Sequence, residues 1–418
     1  MSGESEMTSL GRRARAAARA LVQCSEHKKN QALLHMASAL ESQTVTILDG
    51  NRKDLAAASL RGINDAMRDR LSLTSDRIAA MANGLREVAE LPDPVGAILD
   101  SWERPNGLQI SQVRIPLGVI GIIYEARPNV TADAAGLCLK SGNVVFLRGG
   151  SEAEHSNAAI LAVLRQAVKD SGLPADAIMS LPSTDRAWIM EMLQAEEYID
   201  VIIPRGGESL IRFVTENSRI PVIKHYKGVC HVYVDVDADL DSAQAICVNA
   251  KVSRPGVCNA METMLVHEGV ASHFLPKVAA QLGEAQVELR GCSTTMEHLP
   301  DIKLATSADY HAEYLDLILA IKVVANVDEA IEHIEEFGSD HTESIVSENP
   351  DTVQRFLDRI QSSVVMANTS TRFSDGGQMG LGAEIGISTT KLHAYGPMGL
   401  TDLTTRKYVI RGAGQVRN

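Results

Sequence analysis

Residues 117–148 read LGVIGIIYEARPNVTADAAGLCLKSGNVVFLR, and the fold follows from how this stretch divides. Leu117–Ile123 is apolar and β-branched, which suits a buried strand. Val130–Lys140 turns to alanine and leucine and reads as a helix, after which Val144–Leu147 is strand-like again. The rhythm continues. His155–Asp170 is a helix ended by Gly172 and Pro174, Ile199–Ile203 a strand, and Pro204-Arg205-Gly206-Gly207 a turn into a helix over Glu208–Asn217. Strands alternating with helices predict an α/β fold with parallel, doubly wound sheets.

Upstream, residues 8–91 look helical almost throughout, with Leu33, Leu34, Ala37 and Leu40 on helical spacing, until Leu91-Pro92-Asp93-Pro94 stops the pattern. A short extended region follows around Leu108–Val113. After about residue 230 a second alternating block begins. It carries a helix over Leu240–Ala250, strands near 263–266, 316–324 and 363–367, and helices near 328–337 and 351–360. Thr404–Ile410 has the alternation of a peripheral strand. A chain of 418 residues is too long for one simple core, so two domains with a smaller appendage are expected.

Composition narrows the class. With 45% hydrophobic and 22% charged residues the chain reads as a soluble globular enzyme. A formal charge of −13 argues against nucleic acid as a partner, and an anionic substrate would need a local basic site. Six cysteines, at 24, 138, 230, 247, 258 and 292, form no C-x-x-C pair, which fits reduced thiols in a cytosol. The N-terminus lacks the apolar segment of a signal peptide, and no apolar stretch approaches the roughly 18 residues of a membrane span. A cytoplasmic protein is expected. The histidines show no paired ligand spacing, so no metal is expected.

One cysteine stands apart. Arg254-Pro255-Gly256-Val257-Cys258-Asn259-Ala260 sets it in a constrained turn just ahead of the apolar run Met264–Val266. Such a loop can present a nucleophilic thiol, with Arg254 favouring the thiolate; a buried structural cysteine is the alternative. Two strand ends, Phe146-Leu147-Arg148-Gly149-Gly150-Ser151 and Pro204-Arg205-Gly206-Gly207-Glu208-Ser209, combine a cation with paired glycines. They suit a nucleotide beyond the carboxyl ends of the strands, or are ordinary turns. The glycines of Gly380–Gly386 follow no strand directly and are a weak phosphate-loop signal. In Tyr124-Glu125-Ala126-Arg127-Pro128-Asn129, the asparagine either caps a helix or aims its amide at an oxygen turning negative.

Pro128-Asn129, the segment Ser141–Arg148 and the Cys258 loop together resemble the aldehyde dehydrogenase superfamily. The likeness runs from about residue 8 to 412. It is closest to the branch that reduces gamma-glutamyl phosphate, on the strength of Tyr124–Asn129, Arg254–Thr263 and Glu332–Ile345. It implies two doubly wound parallel-sheet domains plus a small β oligomerisation flap. By resemblance, residues 1–103 and 122–228 bind NADP, 229–390 carry the nucleophile, and 104–121 with 391–418 make the flap. The resemblance implies Cys258 as nucleophile and Asn129 as oxyanion donor. Arg148, Gly149, Gly206, Gly207 and Glu313 would contact NADPH/NADP. Arg127, Lys224, His225, Arg254 and His341 would contact L-glutamyl 5-phosphate, although a solvated basic face or a helix-end turn explains Lys224, His225 and His341 equally well. A homo-oligomer is implied, with glutamate 5-kinase as the candidate transient partner.

One departure is informative. Hydrolytic members carry a base glutamate on a Glu-Leu-Gly-Gly segment, where this chain has His225-Tyr226-Lys227-Gly228. Without that base a thioester would survive to accept hydride or to be attacked by phosphate. A hydrolytic aldehyde dehydrogenase and a non-catalytic nucleotide-binding relative are the competing readings.

Overall fold

The computed structural model describes residues 5–61 and 65–417; residues 62–64, inside the stretch expected to be helical, lie outside the described residues. The chain forms two compact units. The first comprises residues 1–224, 380–386 and 398–418, and the second residues 225–379 and 387–397.

The first unit opens with helices α1 (Glu6–Leu21), α2 (Glu26–Ser42), α3 (Thr44–Leu60), α4 (Asp65–Leu71) and α5 (Ser75–Glu90). Ser5, Ser25 and Thr74 start three of them by accepting the N–H of Thr8, Lys28 and Arg77. On α2, Leu33, Ala37 and Leu40 are buried as their spacing predicts, whereas Leu34 is 45% exposed because it lies one position round from the buried stripe.

Strands β1 (Ile98–Glu103) and β2 (Gln109–Pro116) follow and pair antiparallel. The C-terminal strand Thr404–Arg411 pairs with the other edge of β2. This three-stranded sheet therefore draws on 98–116 and 404–411, where a flap over 104–121 and 391–418 was expected. Residues 119–121 belong instead to β3 (Val119–Tyr124), inside a parallel sheet.

That sheet contains β3, β4 (Val144–Gly149), β5 (Ile178–Ser180) and β6 (Val201–Arg205), in the order β5-β4-β3-β6. Helices α6 (Asn129–Lys140), α7 (Glu154–Asp170) and α8 (Arg186–Leu193) make the crossovers, and α9 (Glu208–Asn217) follows β6.

The second unit is built on β7 (Cys230–Val234), β8 (Met261–His267), β9 (Glu288–Gly291), β10 (Lys303–Leu304), β11 (Ile318–Val324), β12 (Thr342–Val346) and β13 (Val364–Ala367). All pair parallel, in the order β10-β9-β11-β8-β7-β12-β13. Its helices are α10 (Leu240–Val252), α11 (Glu268–Glu284), α12 (Ser293–His298), α13 (Ser307–Tyr310), α14 (Val327–Phe337) and α15 (Pro350–Arg359). Val232, Met264 and Val266 pack with Cys247, Phe274 and Val278 of α10 and α11. The intervening Tyr233 and Leu265 face the other way, onto Ile331, Ile334 and Phe356 of α14 and α15. Helices on both faces make the sheet doubly wound, as expected.

A buried ion pair joins the end of α10 to the start of β8, on either side of the Cys258 turn. Lys251 Nζ lies 2.6 Å from Glu262 Oε2, both side chains fully buried, while Glu262 Oε1 accepts the Leu315 N–H at 3.1 Å. Burial raises the Glu262 carboxyl to about 7 despite the ammonium beside it. Lys251→Met would strand that carboxylate, and losing one partner of a buried pair costs about 3–5 kcal/mol. Denaturant unfolding at neutral pH is expected to show that loss. The deficit should shrink at pH 5, because a raised pKa means protonation favours the folded form.

Candidate active site

In the second unit, Cys258 sits in the turn between α10 and β8, at the amino end of the sheet. The carboxyl edge, where ligands of such sheets commonly bind, is not where this thiol lies. Cys258 is half-buried and its backbone is held from several sides. The Cys230 S–H donates to the Cys258 carbonyl at 3.1 Å. Gly228 packs so closely that a Cβ there would lie 2.0 Å from the same oxygen. Thr371 Oγ1 donates to the Asn259 carbonyl at 2.7 Å, and Asn259 Nδ2 donates to the Ser374 carbonyl at 2.8 Å. These bonds make the loop rigid where the sulfur is presented.

Further residues named from sequence converge here. Glu313 Oε1 accepts the Gly228 N–H at 2.9 Å, which ties it to the glycine packed on Cys258. His341 is fully buried in the short turn between α14 and β12, immediately before the strand. Its Nδ1 lies 2.9 Å from Thr342 Oγ1 and 3.5 Å from Cys230 Sγ. The Thr342 hydroxyl donates to Ser374 Oγ at 2.8 Å, which leaves its lone pairs toward His341. Burial, followed by the charge of Glu343, pushes the Cys230 thiol well above its usual value and keeps it a donor. His341 thus backs Cys230, and Cys230 backs Cys258. The ring of His225 lies 5.9 Å from that of His341, and its Nδ1–H donates to the Ile387 carbonyl at 3.1 Å.

Sequence reasoning missed Cys230 and also Arg372. The Arg372 guanidinium donates from Nη1 to Asn259 Oδ1 and from Nε to Ser253 Oγ at 3.2 Å, bridging the two ends of the cysteine turn. Nothing in Thr371-Arg372-Phe373 signals this locally, since the partners lie 113 and 119 residues away. All six cysteines are free thiols. Among the described residues no group of three or more His, Cys, Asp or Glu is placed to hold a metal.

The first unit gathers the other candidates at the carboxyl ends of its strands. From β3 the chain adds β4 and β5 on one side, whereas β6 joins on the other. Such a reversal, here between the ends of β3 and β6, is the usual place for a nucleotide. The Glu125–Pro128 loop follows β3 at that end. Ala126 adopts a left-handed φ of 34° and donates its N–H to Glu152 Oε1 at 2.5 Å. Glu125 Oε2 accepts the Gly207 N–H at 2.9 Å, at the start of α9. A Cβ on Gly206 would come within 2.4 Å of that carboxylate.

Asn129 is the first residue of α6 and makes no capping bond. Its exposed Nδ2 instead donates to Asp133 Oδ2 at 2.9 Å, one turn on. Burial pushes the Asp133 carboxyl up to about 6, against the pull of Asn129 and Arg205. An amide nitrogen has two protons, so one remains for a ligand. Arg127 lies in the same loop, half-buried. Lys224 closes the main segment of this unit.

Beside β4, a pocket of about 190 Å³ is lined by Tyr124, Arg148, Gly149, Asn157, Pro182 and Thr184, among others. Arg148 donates from Nη2 to the Thr184 carbonyl at 2.8 Å, while its buried Nε has no partner. An orphaned guanidinium N–H in a pocket fits an anionic or ribose oxygen of a nucleotide. Gly149 is required there, because a Cβ would lie 2.1 Å from Asn157 Nδ2. No helix among the described residues is long and apolar enough to cross a membrane.

The likenesses of the whole chain agree with this geometry. Residues 1–296 match the model of the aldehyde dehydrogenase family. The chain is 59% identical to a gamma-glutamyl phosphate reductase of Geobacter metallireducens over 404 residues, 97% of each chain. It is 55% identical to one of Citrifermentans bemidjiense over 417 residues, covering both chains completely. The crystal structure of the gamma-glutamyl phosphate reductase from Thermotoga maritima superposes with a TM-score of 0.97 at 46% identity, covering 99% of this chain and 100% of that one. With this fold, this cysteine turn and these likenesses, the chain belongs to the aldehyde dehydrogenase family and, within it, to the gamma-glutamyl phosphate reductases.

Proposed function

We propose that the chain uses NADPH to reduce L-glutamyl 5-phosphate to L-glutamate 5-semialdehyde and inorganic phosphate, the second step of proline biosynthesis from glutamate. The reaction runs through a thioester on Cys258. The observation that carries this reading is His225 at the head of the segment where hydrolytic relatives place a base glutamate: the side chain there is an imidazole whose Nδ1–H is engaged on the Ile387 carbonyl, not a carboxylate. A thioester there lacks the carboxylate base that activates water in those relatives.

Cys258 Sγ attacks the acyl carbon and the bond to the phosphate oxygen breaks, phosphate leaving with the electron pair. The Cys258 N–H and the second N–H of Asn129 stabilise the oxygen that turns negative; one such donor contributes about 3–4 kcal/mol. Asp133 holds the Asn129 amide in place through the first N–H. Bound NADPH supplies the hydride that reduces the thioester. Arg148, Gly149, Gly206, Gly207 and Glu313 would hold that cofactor, the unpartnered Arg148 Nε offering an N–H to one of its oxygens. The carbon–sulfur bond then breaks, releasing the semialdehyde and returning Cys258.

Arg127, Lys224, His225 and Arg254 serve the substrate, while His341 acts from behind the loop, through Cys230. In this reading the first unit binds cofactor, the second carries the nucleophile, and the antiparallel sheet mediates homo-oligomerisation. The enzyme works in the cytoplasm, with glutamate 5-kinase as a transient partner that hands over the labile acyl phosphate.

The test is the reverse reaction, following NADP⁺ reduction with glutamate semialdehyde, with and without inorganic phosphate. Strict phosphate dependence is expected. Equal rates without phosphate would mean that water resolves the intermediate and would sink the proposal.

A further inference from the structure

We propose that Arg372, together with Arg254, forms the subsite that receives the phosphate of the acyl phosphate. The inference rests on the function proposed above and names the residues that read the leaving group.

Phosphate departs as a multiply charged anion, and its site needs cations fixed beside the nucleophile without carboxylates of their own. Arg372 meets both demands. It is half-buried, and its two side-chain partners, Ser253 Oγ and Asn259 Oδ1, are neutral. Those partners lie on either side of Cys258 in the same turn, so the guanidinium is pinned across the turn that presents the sulfur. Two of its five N–H groups are engaged in these bonds, and a planar fork remains to face an oxyanion.

Arg372 forms no ion pair with a carboxylate among the described residues, and neither does Arg254. The leading electrostatic influence on Arg372, after burial itself, is the like charge of Arg254, and together they lower its affinity for a proton. The nearby Asp375 has its Oδ1 occupied by the N–H groups of Gly377 and Gln378. Two cations close enough to repel, one of them partly desolvated and offset by Asp375 only at a distance, without an ion pair, cost stability in the empty protein. An incoming phosphate dianion relieves that cost. In a chain of charge −13, it is also the local basic site that an anionic substrate requires.

Phosphate is a substrate of the reverse reaction, so its KM can be measured separately from those of glutamate semialdehyde and NADP⁺. Arg372→Gln is expected to raise the KM for phosphate about 10- to 100-fold, the scale of a lost charge-assisted hydrogen bond, with the other two KM values within about twofold. Arg372→Lys should recover part of the loss. Arg254→Gln, at an exposed side chain, is expected to raise the phosphate KM about threefold to tenfold. A fall in kcat with unchanged phosphate KM would show that Arg372 merely supports the turn and would overturn the inference. If Arg372→Gln fails to fold, Arg254→Gln decides alone, and an unchanged phosphate KM there overturns it equally. Phosphate-independent turnover by the unmodified enzyme is a different outcome, since that defeats the underlying reaction and the subsite with it.

Discussion

Replacing Cys258 with serine is expected to lower turnover roughly 10⁴-fold or more, the scale on which loss of a covalent nucleophile is felt. A hydroxyl stays protonated at neutral pH, whereas a thiol's own acidity supplies the nucleophilic anion. The fold should survive, because one oxygen replaces one sulfur at a half-buried position whose bonds all come from the backbone. NADPH affinity should also survive, because Arg148 and the glycines at the ends of β4 and β6 belong to the other unit. Fluorescence titration of NADPH alongside the rate assay separates the two effects. Residual activity within tenfold of the parent would remove Cys258 from the chemistry.

Gly228→Ala is expected to cost about 10²-fold or more in kcat without touching any group that reacts. The added methyl would lie 2.0 Å from the Cys258 carbonyl oxygen and 2.7 Å from its Cα. These are backbone atoms, so no rotamer change relieves the clash and the turn itself must move. A misplacement of about 1 Å at a reacting atom is worth about this much. Gly283→Ala is the control. That glycine lies in α11 of the same unit with nothing within 4 Å of the added methyl, and the change should leave the rate alone while stabilising the helix by up to about 1 kcal/mol. Equal kinetics for the two variants would show that the packing of Gly228 does not govern the sulfur's position.

The sequence made the helices of the first unit and the crossovers of its parallel sheet legible, because alanine-rich periodicity and β-branched runs are local signals. Glu208–Asn217 was read to the residue. The central strands β7 and β12 escaped notice for a physical reason. Cys230–Val234 and Thr342–Val346 bury His231, Glu343 and Ser344 completely, so neither looks like an apolar strand. Their polarity is satisfied between neighbours 112 residues apart: the His231 N–H and Nδ1 both meet Glu343 Oε2, at 3.0 and 2.8 Å. No window of sequence contains both halves of that arrangement. The short β5 and α11, the latter interrupted by Pro276, were lost because their local pattern is weak or broken.

The site divides in the same way. Cys258 was singled out because its turn is contiguous, with glycine and proline setting off a single thiol. Cys230, Gly228 and Arg372 act on that turn from 28, 30 and 113 residues or more away, and only the pairing of strands brings them to it. Asn129 lies where α6 begins, and only the side-chain geometry of the structure shows its amide on Asp133 rather than on a cap.

The C-terminal strand carries a consequence for how the chain is made. Strand β2 is flanked by β1 on one side and by residues 404–411 on the other, so it leaves the ribosome nearly 300 residues before its second neighbour exists. Asn143, fully buried, likewise waits for the Leu403 carbonyl that accepts its amide N–H. Until synthesis ends, the nascent protein exposes an open strand edge and an unsatisfied amide, the kind of surface on which neighbouring nascent chains stick together. Domains commonly mature in the order they are translated; here the first to begin must be among the last to finish.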